Sequence, residues 1–149
     1  MDDAIPSRGT IVVTGLSSDS HTWALVYLNL LIEELGYDVI NLGPCVPDEL
    51  LATECMRIKP MMVVVSSVNG HGRADGLQAI RRLRACSQLR STPVVIGGKL
   101  SVSPEAAEEI TAELIAAGFD AVFADGSVDA FRAFVALTGS RHVGIEGTK

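Results

Sequence analysis

The sequence predicts an α/β fold: a single-domain, doubly wound, five-stranded parallel sheet with helices on both faces. Two observations carry this. Five short apolar runs alternate with five helix-length segments along the chain. Runs such as Met61-Met-Val-Val-Val65 and Pro93-Val-Val-Ile96 are continuous rather than alternating, so both faces of those strands are covered, as in a parallel sheet.

The first strand, 10–15, is a β-branched run that ends at Gly15 and meets a polar Ser/Asp/His loop. A helix over 22–35 follows and stops at Gly36, where a left-handed residue closes the last turn. Strand two is 38–42; the helix over 47–58 opens on Pro47, whose missing amide suits a first turn. Strand three, 61–66, leads to a loop of small residues and a helix over 73–86, on which Arg81, Arg82 and Arg84 read as a solvated face. Strand four, 92–96, runs into Gly97-Gly98. The helix over 104–117 then has Ser103 as its cap, Pro104 in its first turn and Gly118 beyond its end. Strand five, 120–124, precedes a last helix over 128–137; residues 1–138 form the domain and 139–149 a loose tail.

Five such strands point to the flavodoxin-like order 2-1-3-4-5, with a ligand outside their carboxyl ends near the switch between strands 1 and 3. The loops there, 17–22, 66–72, 97–103 and 125–127, are rich in small residues and almost uncharged. None carries a G-x-G-x-x-G or P-loop lysine motif, so phosphate cradling is not indicated and a broad, mostly neutral ligand fits better. A response-regulator chemistry would need clustered acids after strand 1 and a lysine after strand 5, and both are missing. A flavin carrier would need a phosphate-binding first loop, where Asp19 would repel the phosphate.

Composition narrows the classes further. Twelve Lys and Arg against 18 Asp and Glu give a net charge of −6 with no basic stripe, which argues against nucleic-acid binding. Cys45, Cys55 and Cys86 are widely spaced with no CxxC pair, which suits free thiols in a reducing cytoplasm rather than a structural zinc. The amino terminus lacks the basic start and apolar core of a signal peptide, and no stretch is long enough to span a bilayer.

The chemistry concentrates at Asp19-Ser20-His21. A carboxylate two residues before a histidine can accept the proton on one ring nitrogen and free the other as a metal ligand. The same pattern also serves as a polar turn that caps the next helix. Three segments in order decide between these: Asp19-Ser20-His21-Thr22-Trp23-Ala24, Ser66-Ser67-Val68 and Gly97-Gly98. Together they resemble the Asp-x-His-x-x-Gly, Ser-x-Leu and Gly-Gly signature of the cobalamin-binding domain family. The flanks Thr-Ile-Val-Val-Thr-Gly, Gly-Tyr-Asp-Val-Ile-Asn-Leu-Gly and Val-Ser-Ser-Val-Asn-Gly-His-Gly are most similar to the small (sigma) subunits of glutamate mutase, over roughly residues 8–138.

The resemblance implies adenosylcobalamin as cofactor, with His21 as the lower axial ligand of cobalt and Asp19 as the partner that fixes its tautomer. It also implies that Ser66 hydrogen-bonds the displaced nucleotide tail, that Val68 lines it and that Gly97 and Gly98 leave it room. Ser18, Ser20, Thr22, Asn69, Gly70 and Lys99 complete the cofactor surface, with His71 at its edge. The implied reaction is the radical interconversion of L-glutamate and threo-3-methylaspartate. Its substrate site lies on a separate large subunit, in a heterotetramer of two small and two large chains. The chain departs from the signature at Ala24, which stands at its glycine and is preceded by the bulky Trp23; Val68 at its leucine is a mild change. The alternatives are a corrinoid carrier or sensor, which usually has a helical cap before this domain, and a degenerate interaction module that has lost the cofactor.

Overall fold

The computed structural model of the chain describes residues 9–17, 23–67, 72–98, 107–123 and 129–137. It contains β1 (Thr10–Gly15), α1 (Trp23–Glu34), β2 (Asp38–Gly43), α2 (Asp48–Ile58), β3 (Met62–Ser67), α3 (Gly72–Arg84), β4 (Val94–Gly98), α4 (Ala107–Ala117) and β5 (Ala121–Phe123). Residues 129–137 form a further helix, α5. The strands make one sheet in the order β2-β1-β3-β4-β5, every pair parallel, as the sequence predicts.

Strand residues alternate between two apolar layers. Val12, Val63, Val65, Val94 and Ile96 face Leu51, Ala52, Leu77, Ile80, Leu83 and Leu114 from α2, α3 and α4. Ile11, Val13, Met62, Val64 and Val95 face Leu25, Leu31, Ile32, Phe131 and Val135 from α1 and α5. With apolar layers on both sides, the central strands need side chains that are apolar at every position. All six residues of β3 are buried, which explains its unbroken run. No helix among the described residues is long and apolar enough to cross a membrane.

Several boundaries differ from expectation for identifiable reasons. Strand β4 starts at Val94, not residue 92: a short 3₁₀ turn, Ser87–Leu89, precedes it, and the Thr92 amide donates to the Leu89 carbonyl in the turn that follows. Cys86 therefore lies beyond α3, at the cap of the 3₁₀ turn, and not on a helix. Pro47 is the N-cap of α2, extended at φ −65° and ψ 151°, so that its carbonyl receives the Leu51 amide. The α2 end is closed by Lys59 in a left-handed conformation, φ 54°, where the sequence offers no glycine. Gly36 and Gly118 do follow α1 and α4 with φ +99° and +136°. The expected Ser103 cap and Pro104 lie outside the described residues, as do 1–8 and the tail 138–149.

Arg84 is not part of a solvated face. Its guanidinium, on a side chain only 18% exposed, donates to the carbonyls of Gly118, Leu89, Arg90 and Thr92. It also pairs with Asp120 Oδ2 at 3.0 Å, an oxygen that receives the Val94 amide at 2.8 Å. One side chain thus ties α3, the 3₁₀ turn, the α4–β5 connection and the start of β4 together. Arg84→Ala is expected to cost about 2 kcal/mol, since several carbonyls lose a charged donor at once. A urea titration would read this as a lower midpoint, and an unchanged midpoint would contradict it.

Candidate functional site

The carboxyl ends of the strands form the candidate site. Helix α1, after β1, packs on one face of the sheet and α3, after β3, on the other, so the helices change face between these neighbouring strands. Such a switch point is where a crevice forms outside the carboxyl ends of the strands.

Register gives the crevice a particular floor. Gly15 of β1 is opposite Ser66 of β3, Ser66 is opposite Gly97 of β4, and Gly97 is opposite Phe123 of β5. By strand alternation these four residues face the α1/α5 layer, one step beyond the row Val13, Val64, Val95 and Ala121. Packed valines therefore give way to a hydrogen, a hydroxymethyl group and a second hydrogen, and the row ends at a phenyl ring. With strands about 4.8 Å apart, the stretch from Gly15 to Gly97 is about 10 Å wide. Ser66 supplies a hydroxyl at its centre and is 7% exposed.

Gly97 and Gly98 are strand residues, not a loop after the strand. Gly98 has φ +111°, and a Cβ there would collide with the Ser67 carbonyl oxygen. Its glycine is required by backbone geometry as well as by any ligand. A Cβ on Gly97 would lie 3.2 Å from the Phe123 Cβ. On the opposite face from the floor, Ser67 is 1% exposed and its Oγ has no hydrogen-bond partner among the described residues. Ser67→Ala removes this unsatisfied group and is expected to leave stability unchanged or raise it by about 1 kcal/mol. A fall in the urea midpoint would contradict that.

Of the residues expected in the site, Ser66, Gly97 and Gly98 are brought together on adjacent strands. Ser18, Asp19, Ser20, His21, Thr22, Val68, Asn69, Gly70, His71 and Lys99 lie outside the described residues. Ala24 is half-buried in the first turn of α1. Gly15 and Phe123 join this row although no motif in the sequence marks them. Their signal was present in the chain, because each ends or nearly ends its strand, but only the register shows that they share one row.

The thiols do not belong to this chemistry. Cys55 is buried under α2, where loss of solvation pushes its pKa up to about 12 and keeps it protonated. Cys45 is exposed and Cys86 half-buried, and all three are unbridged.

A small-floored crevice at the switch point of a 2-1-3-4-5 sheet suits a flat ligand whose end group enters between sheet and helix. The B12 binding domain model matches residues 9–135, and the chain belongs to that family, whose cofactor is of the cobalamin type. Its relatives include the glutamate mutase sigma subunit of Fusobacterium nucleatum, 29% identical over 81% of this chain and 88% of that subunit. The glutamate mutase sigma subunit of Halobacterium salinarum is 31% identical over 76% of this chain and 75% of that one. Among solved structures, a cobalamin-binding protein from Desulfitobacterium hafniense superposes with a TM-score of 0.67 at 22% identity. That match covers 80% of this chain but 54% of the other, and it shows a shared fold.

Proposed function

We propose that this chain is the adenosylcobalamin-binding small subunit of a glutamate-mutase-type isomerase, partnered by a large subunit that carries the substrate site. The observation that carries the reading is the in-register row Gly15, Ser66 and Gly97. It leaves side-chain space free beneath α1, where the nucleotide tail of a base-off cobalamin would lie. The relatedness to glutamate mutase sigma subunits supports the choice of reaction.

In this reading His21 would hold the cobalt of the cofactor through one ring nitrogen. Asp19 accepts the proton of its other ring nitrogen, which raises the basicity of the ligating one. Ser66 donates to the tail, Gly97 and Gly98 let the backbone approach it, and Val68 lines it. Ser18, Ser20, Thr22, Asn69, Gly70 and Lys99 surround the cofactor within a domain spanning 1–138. When bound, adenosylcobalamin supplies homolytic cobalt–carbon chemistry that no protein side chain can provide. The protein's part is to hold, orient and exclude water. Interconversion of L-glutamate and threo-3-methylaspartate then takes place in a heterotetramer of two small and two large chains. The unbridged thiols fit a reducing, cytoplasmic setting.

Helix α1 adds a reason to expect a partner. Val26 is 55%, Tyr27 45% and Leu30 58% exposed on its outer surface. An apolar strip of this kind, beginning one turn from the cofactor loop, suits coverage by another chain.

The test is reconstitution of the purified chain with a glutamate mutase large subunit and adenosylcobalamin, following 3-methylaspartate by proton NMR. Isomerisation that is lost in His21→Ala is the expected result. A chain that binds cobalamin yet supports no isomerisation would contradict the mutase assignment and leave a corrinoid carrier.

A further inference from the structure

The floor of the crevice is closed on one side by Phe123, whose position carries an inference about the end group of the ligand. Gly97 and Phe123 are in register, and a Cβ on Gly97 would already lie 3.2 Å from the Phe123 Cβ and 3.4 Å from its carbonyl oxygen. The same position is 3.9 Å from the ring carbon Cδ2, so the Phe123 side chain borders the floor directly at Gly97.

The ring is also held in place. It makes edge-on contacts with Phe131, at 5.7 Å between centroids and 88° between planes, and with Phe134, at 6.0 Å and 69°. Both partners lie on α5, and Phe131 is 5% exposed. Helix α5 is fixed in turn by Val135, which is fully buried and whose carbonyl accepts the Tyr37 hydroxyl at 3.3 Å. The wall is thus a packed aromatic cluster and not a loose side chain.

Among the described floor residues, the Ser66 hydroxyl is the one polar side chain in the row. Among the described residues, an end group that reaches the wall meets one hydroxyl, backbone and a phenyl ring. A benzimidazole base satisfies this surface: it is flat and apolar, with a single acceptor nitrogen left for Ser66. A purine base of the same outline would bring further ring nitrogens and an exocyclic amine against Phe123, where none of the side chains among the described residues of the row compensates their lost water.

Resting on the cobalamin reading above, we infer that Phe123 is a specificity-determining residue for the base of the cobalamin tail, favouring benzimidazole over purine. It touches the base and not the corrin ring. Its effect is confined to corrinoids that carry a base.

The experiment is titration of the purified chain, followed by absorbance, with three ligands: cobalamin, its adenine-tailed analogue and cobinamide, which has no base. Wild type, Phe123→Leu and Phe123→Ala are compared, with thermal melts to verify folding. The wild-type chain is expected to prefer cobalamin over the adenine analogue by about tenfold. Phe123→Ala should bring the two to within about twofold, Phe123→Leu should fall between, and cobinamide affinity should not move. Equal weakening of all three ligands would show a merely structural role and overturn the inference. An unchanged preference, or cobinamide binding as tightly as cobalamin to the wild type, would overturn it and leave the cobalamin reading standing. A folded wild-type chain that binds none of the three would overturn both.

Discussion

Gly98→Ala is expected to destabilise the protein by about 3 kcal/mol or more, because two independent penalties fall on one atom. The backbone at Gly98 has φ +111°, a conformation that residues with a Cβ rarely adopt. The added carbon would also collide with the Ser67 carbonyl oxygen and sit 3.0 Å from its carbonyl carbon. Those are main-chain atoms of a central, fully buried strand and cannot swing aside as a flexible side chain could. For a domain of this size the loss corresponds to a melting temperature lower by about 10 °C. Circular dichroism would read it directly. A shift within about 2 °C would mean that β4 relaxes freely from β3, and the strand pairing described here would be wrong.

Ser66→Leu is the converse case, expected to spare the fold and weaken ligand binding strongly. Ser66 sits at the centre of the small-residue row, between Gly15 and Gly97, on a face that is apolar one step away at Val64. Leucine is compatible with that layer, so the melting temperature should move by only a few degrees. Its branched end would occupy the space left by the two glycines, and the donor hydroxyl would be gone. Cobalamin affinity is expected to fall about a hundredfold, against about tenfold for Ser66→Ala, which removes the hydroxyl alone. Equal, small losses in the two variants would place the tail elsewhere.

The fold was legible because parallel strands buried on both faces must be apolar throughout, and β1, β3 and β4 advertise this as unbroken runs. The edges were less so. Thr92 and Pro93 look like the start of a β-run, yet the Thr92 amide is spent on the Leu89 carbonyl in the turn after the 3₁₀ segment. Arg84 shares its segment with Arg81 and Arg82, and only tertiary contact separates the one that is wired to four carbonyls from its neighbours.

The site was legible in part. Ser66 and Gly97-Gly98 stand out as small residues at the ends of apolar runs. That Gly15 and Phe123 complete one row depends on pairing register, which no local pattern encodes. The requirement for glycine at position 98 arises from the neighbouring strand's carbonyl, a cause equally invisible in the chain.

The central claim is that this chain holds cobalamin with a histidine on cobalt and the nucleotide base displaced. Electron paramagnetic resonance of cob(II)alamin bound to the chain tests it, with the histidines labelled with ¹⁵N. Axial-ligand splitting that changes from the ¹⁴N to the ¹⁵N pattern, and that is lost in His21→Ala, is the predicted result. Retention of the ¹⁴N pattern in the labelled protein would mean that benzimidazole still ligates the metal, and would contradict the account.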